Sequence, residues 1–141
     1  DDPTNKDDKF LRSRIRKLLM NLDKEGLKFN KFYLTLKNLS KSNQVIEFYV
    51  DKNILENSKY FEKDKKIILN QSFFNNPEEI ILRSIMQVIK RISWKKNYPR
   101  GKKVNSLIDS IKFSNKNVKL TLSGCIIEKI QDSVIIYPEK R

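Results

Sequence analysis

One stretch constrains the fold more than any other: Asn75-Asn76-Pro77-Glu78-Glu79 and the residues after it. Asn76 is a capping residue type, Pro77 suits a first helical position, and two acids favour the positive end of a helix dipole. Ile81, Ile85, Val88 and Ile92 then recur at i, i+4, i+7 and i+11, with Leu82 and Ile89 widening the stripe. That period requires a helix with one broad apolar face, and such a face needs a second layer to cover it. The rest of the chain must supply that layer.

Much of it reads as helix. Leu11, Ile15, Leu18 and Leu22 line one face of a first helix that Asp7 or Asp8 would cap. Gly26 stands where a left-handed C-cap is needed. From about Leu27 to about Lys59 the pattern is again helical. Phe29, Phe32, Leu36 and Leu39 form its stripe, Ile46 and Val50 continue the phase, and Asn43 and Asn53 mark possible breaks. Lys65 to Asn70 is an extended run or a turn. Residues 93–103 read as loop, and Val104, Leu107, Ile108 and Ile111 as a short helix.

The last third changes period. Val118, Leu120 and Leu122 alternate with polar residues, as in a half-buried strand. Gln131-Asp132-Ser133 reads as a turn, and Val134 to Tyr137 as a returning strand that Pro138 stops. Gly124 marks a bulge or a close backbone approach. The expectation is an α+β fold, mostly α-helical, with a C-terminal β-hairpin.

Charge narrows the partner. The chain carries 30 Lys+Arg against 17 Asp+Glu, a formal net charge of +13, which suits a polyanion. Between Glu79 and Asp109 there is no acid, yet Arg83, Lys90, Arg91, Lys95, Lys96, Arg100, Lys102 and Lys103 all occur, with Trp94 and Tyr98 among them. Eight like charges repel unless an anion is near. Cations meet phosphates and rings stack on unpaired bases. For Trp94 a place over the core is as good a reading as a stacking role. In the first helix, Arg12, Arg14, Arg16 and Lys17 spread over the faces away from the apolar stripe. A solvated basic face explains them, and so does phosphate binding, because guanidinium grips phosphate through two hydrogen bonds.

Other chemistries are excluded. There is no His, so histidine acid–base and triad chemistry is closed. One cysteine, Cys125, forbids an internal disulfide, suits a reducing cytoplasm and reads as a small buried residue. No apolar run approaches the about 20 residues that span a bilayer, and no membrane partner is expected. The three glycines, Gly26, Gly101 and Gly124, are far apart, so no Gly-rich loop can cradle a nucleotide phosphate.

Several stretches resemble one family. Asp2-Pro3-Thr4-Asn5, a charged spacer, and a helix with Arg12, Arg14 and Arg16 resemble the end of the catalytic domain of tRNA(Ile)-lysidine synthetases (TilS). Ser13 stands where that family usually has Asn. Pro77 with Arg83 one turn later, and Pro99-Arg100 followed by Val104 and Leu107, resemble its substrate-binding domain. Thr121-Leu122-Ser123-Gly124-Cys125 resembles its Thr-Leu-Gly-Gly-Cys stretch, with Ser123 for the first Gly.

The resemblance implies a PP-loop ATP-pyrophosphatase-type ligase that uses ATP and Mg. It adenylates the wobble cytidine of an isoleucine tRNA, and the amine of free lysine then displaces AMP. It further implies that residues 1–26 are the tail of the catalytic domain, and 27–141 a linker helix and tRNA-recognition domain. The Ser-Gly-Gly-x-Asp-Ser loop of such enzymes is missing from these residues. The chain therefore reads as a fragment, inactive alone, with no cofactor or catalytic residue of its own and with Arg12, Arg14, Arg16, Arg83, Arg91, Trp94, Lys95, Lys96, Tyr98, Arg100, Lys102 and Lys103 as tRNA contacts. The competing expectation is a non-enzymatic basic RNA-binding module, for example a ribosome-associated one.

Overall fold

The structure is a computed structural model that describes residues 11–94, 97–114 and 116–140. The Asp2–Asn5 turn, the Asp7/Asp8 cap, Lys95 and Lys96 lie outside the described residues. Helix α1 (Leu11–Lys24) is followed by α2 (Phe29–Asn57), strands β1 (Ser58–Phe61) and β2 (Lys66–Leu69), a 3-10 turn (Gln71–Phe74), helices α3 (Glu78–Ile92) and α4 (Gly101–Phe113), and strands β3 (Val118–Leu122), β4 (Cys125–Ile130) and β5 (Ser133–Pro138). The fold is α+β, mostly helical, and ends in strands. Among the described residues no helix is long and apolar enough to cross a membrane.

The chain divides into two compact units, Asp1–Gln44 and Val45–Arg141, with the boundary inside α2. In the first, α1 stops as its sequence indicates. Gly26 takes φ +90°, and the Leu27 amide reaches back to the Leu22 carbonyl at 2.9 Å, a Schellman closure. The apolar stripes that the sequence places on these helices are not buried within this unit. Leu11, Ile15, Leu18 and Leu22 are 64, 45, 62 and 44% exposed, and Phe29, Phe32, Leu36 and Leu39 are exposed as well. Among the described residues of this unit only Ser13 is buried. One helix and the first half of another cannot enclose a core.

The second unit holds the core. Its antiparallel sheet has five strands in the order β1-β2-β5-β4-β3. The expected two-stranded hairpin is thus a three-stranded meander, β3-β4-β5, extended by the β1-β2 hairpin. Ile67, Ile136, Ile127 and Leu120 are register partners across it. This row belongs to the sheet face that carries Leu69, Cys125 and Val134 into the core with Ile81, Ile85 and Ile89 of α3 and Val104 and Ile108 of α4. Lys129 on β4 donates to the Ile111 and Ser114 carbonyls at 2.8 and 2.7 Å, placing a cation at the C-terminal end of α4, where the dipole favours it.

Two asparagines act differently from expectation. Asn53 does not break α2. It is 2% exposed, and its amide donates to the Phe73 carbonyl (3.3 Å) and the Ser84 hydroxyl (3.2 Å). Its carbonyl accepts from Asn57 and Asn76, each at 2.9 Å. Asn76 is drawn into this network and does not cap α3. The N-cap position falls to Pro77, with no side-chain cap. A buried amide costs free energy unless it is satisfied, and here both of its ends are.

Candidate nucleic-acid interface

The acid-free segment becomes the C-terminal turns of α3, a loop, and the start of α4. The expected loop is shorter than 93–103, because Gly101, Lys102 and Lys103 already form the first turn of α4. At the α3 end, Lys90 and Arg91 have a local reason to exist, since cations suit the negative end of a helix. They also meet rings. The Lys90 ammonium stands 3.9 Å from the centroid of Tyr98, and the Arg91 guanidinium 4.4 Å from that of Tyr60 on β1. Both distances suit cation–π attraction.

The start of α4 is the reverse case. Lys102 and Lys103 sit at the positive end of the dipole, with no acid in the first turn and no side-chain cap at Arg100. That placement costs helix stability. Among the described residues no carboxylate pairs with Arg100, Lys102 or Lys103.

A tight hairpin turn, Ser123-Gly124, closes the site from the other side. Both residues have positive φ, 53° and 80°, as a type I′ turn requires. Gly124 is therefore a turn residue and not a bulge, and the expected close approach is real. A Cβ added there would stand 2.8 Å from the Trp94 indole nitrogen. The Ser93 hydroxyl donates to the Ser123 carbonyl, tying the end of α3 to this turn. Trp94 thus leans on the turn yet keeps 50% of its surface exposed, and Tyr98 keeps 51%. Between them opens a cleft of about 780 Å³ whose walls include Trp94, Asn97, Tyr98, Arg100, Lys103 and Ser123.

The expected contact residues therefore separate. Arg91, Trp94, Tyr98, Arg100, Lys102 and Lys103 lie along one continuous stretch of α3, loop and α4. Arg83 is two turns back on α3, and its guanidinium is held by Glu79 at 2.6 Å. Arg12, Arg14 and Arg16 lie on exposed positions of α1, in the other compact unit. Tyr60 and Ser123 join the site unannounced by sequence, because sheet pairing brings in the strand and the hairpin turn that carry them, and Asn97 joins it from the α3–α4 loop. Cys125 is buried against α3, where its thiol approaches the Ile89 carbonyl. Desolvation pushes it up to about 11, so it is a core residue and not a nucleophile.

The glycines lie in separate segments, and no cluster of three or more acidic or cysteine side chains exists among the described residues to hold a cation. No protein-family model matches the chain. No curated protein is significantly similar to it either.

Proposed function

We propose that the second unit binds RNA through the surface formed by the end of α3, the loop and the start of α4. The observation that carries this reading is Arg100, Lys102 and Lys103 clustered at a helix start that repels them, beside two half-exposed aromatic rings. A phosphate backbone relieves the repulsion and unpaired bases use the rings. No apolar ligand or acidic peptide would use both features as well.

On the resemblance of the Arg12–Arg16 helix, Pro77/Arg83, Pro99-Arg100 and Thr121–Cys125, the RNA is an isoleucine tRNA with a wobble cytidine. The chain is then the tRNA-recognition part of a cytoplasmic lysidine synthetase, with ATP, Mg and free lysine handled by residues outside it. The exposed apolar stripes of α1 and α2 suit this proposal, since a helix of a catalytic domain needs such a face to pack on its neighbours.

The test is filter binding of isoleucine tRNA at several salt concentrations. The expected result is an affinity that falls steeply with salt, because neutralised phosphates release counterions. Failure to bind any tRNA at low salt would refute the proposal. Equal binding of every structured RNA, with no lysidine formed by the full reading frame, would favour a non-enzymatic RNA-binding module.

A further inference from the structure

We propose that the cleft between Trp94 and Tyr98 takes a single unpaired nucleotide of the RNA, its base stacked on the Trp94 indole and its phosphate held by Arg100 and Lys103; this rests on the RNA-binding reading. Four observations converge. The cleft volume, about 780 Å³, lies within the range of about 300–1,000 Å³ typical of ligand sites. Both rings are about half exposed, which leaves ring surface open to a ligand. Trp94 is held: the turn at Gly124 abuts its indole edge, and Ser93 beside it is bonded to Ser123. A platform already fixed loses little entropy when a base lands on it. The Asn97 amide, on the same wall, offers donors and an acceptor to a base edge.

The ligand must have both a π-face and a negative charge, and a nucleotide has both. It must also be out of a stack. A duplex offers phosphates but keeps its base faces on one another, whereas splayed bases of loops and ends are free to stack on aromatic side chains. None of the residues that line the cleft is an acid.

Trp94 is the only tryptophan in the chain, so its fluorescence reports on this cleft alone. The probes are a single-stranded RNA tetranucleotide, a blunt RNA duplex and AMP. Binding of the two RNAs is followed separately by anisotropy of end-labelled copies. The expected result is saturable quenching of Trp94 by the tetranucleotide, at the concentrations where anisotropy rises. The duplex should bind without quenching. Tyr98→Ala, a change at an exposed loop position, should fold normally and weaken tetranucleotide binding while leaving the duplex affinity unchanged. Trp94→Phe, which keeps a ring against the turn, should lose part of the about five- to 150-fold that one stacked base contributes.

If both RNAs bind with no change at Trp94, the cleft inference falls and the RNA-binding surface stands. If neither binds, both fall. If AMP quenches at the same concentrations as the tetranucleotide, the site is one for free nucleotides and the inference is overturned.

Discussion

The indole nitrogen of Trp94 lies 2.8 Å from the point where a Cβ on Gly124 would stand. The two residues are 30 positions apart and belong to different elements. Their contact holds one wall residue of the cleft, Trp94, against the turn, and it leaves room for one residue type only.

Gly124→Ala therefore meets two obstacles. At φ +80° an L side chain is strained, by roughly 1–2 kcal/mol, and the added methyl displaces the indole. The expected outcome is a lower melting temperature, by about 4–8 °C per kcal/mol for a unit of this size, with Trp94 emission shifted to the red as the ring moves into water. Unchanged melting and emission would show that the contact is not maintained in solution.

Asn53 is the second position where one side chain serves many partners. Asn53→Leu keeps the size but takes from the Ser84 hydroxyl its Asn53 donor and from the Asn57 and Asn76 amides their shared acceptor. An orphaned buried polar group costs about 1–3 kcal/mol. Urea denaturation should show an earlier midpoint with an unchanged slope. A midpoint equal to that of the wild type would mean that water replaces the network.

Asn53 also marks where sequence reasoning reached its limit. The helices were legible because their apolar residues recur at the helical period: α3 and α4 both begin within a few residues of expectation. Asn53 looked like an interruption because period alone treats a polar residue as outward-facing, and its partners come from the 3-10 turn and α3. Strand β4 was missed for a related reason. Its outward face carries Ile126 beside inward Cys125 and Ile127, so the alternation that revealed β3 is masked. Strand β1, four residues long, owes its existence to pairing with β2, which in turn pairs with β5. Of the candidate site, the charges were legible and the geometry was not. Nothing local in the sequence puts Lys90 on Tyr98, Arg91 on Tyr60 or Trp94 on Gly124.

Cys125 gives a prediction with a defined sign. Its thiol is pushed up from the ordinary 9.0 to about 11, first by desolvation, with the Ser93 hydrogen bond opposing. A folded-state value above the unfolded one means that the protonated thiol favours the fold. This contribution is complete below about pH 9 and is lost as pH rises toward 11. Relative to Cys125→Ala, the wild type should lose stability between these limits, read as converging urea midpoints. In the native protein at pH 8 the thiol should resist an aromatic disulfide reagent and react only on unfolding. Fast native reaction, or a constant difference between the midpoints, would contradict the burial.

The last prediction separates the cations that the fold employs from those it leaves for a ligand. Arg83 is held by Glu79, and Lys90 and Arg91 complement a helix end and cover rings. Arg100 and Lys103 do neither: they crowd a helix start where cations are unfavourable. If RNA phosphates occupy that place, each neutralised phosphate adds about 0.9 to the slope of log affinity against log salt for a duplex, or about 0.7 for a single strand. The Arg100→Gln/Lys103→Gln double variant should lower that slope by about 1.4–1.8 and weaken all tRNAs alike, since phosphate contacts carry no sequence information. Arg83→Gln should change it less, because its charge is already matched. The double variant should also be no less stable than the wild type, as removing cations from the start of α4 relieves the dipole. A salt slope unchanged in the double variant would remove these two residues from the interface, and a loss of stability would mean that the fold needs them after all.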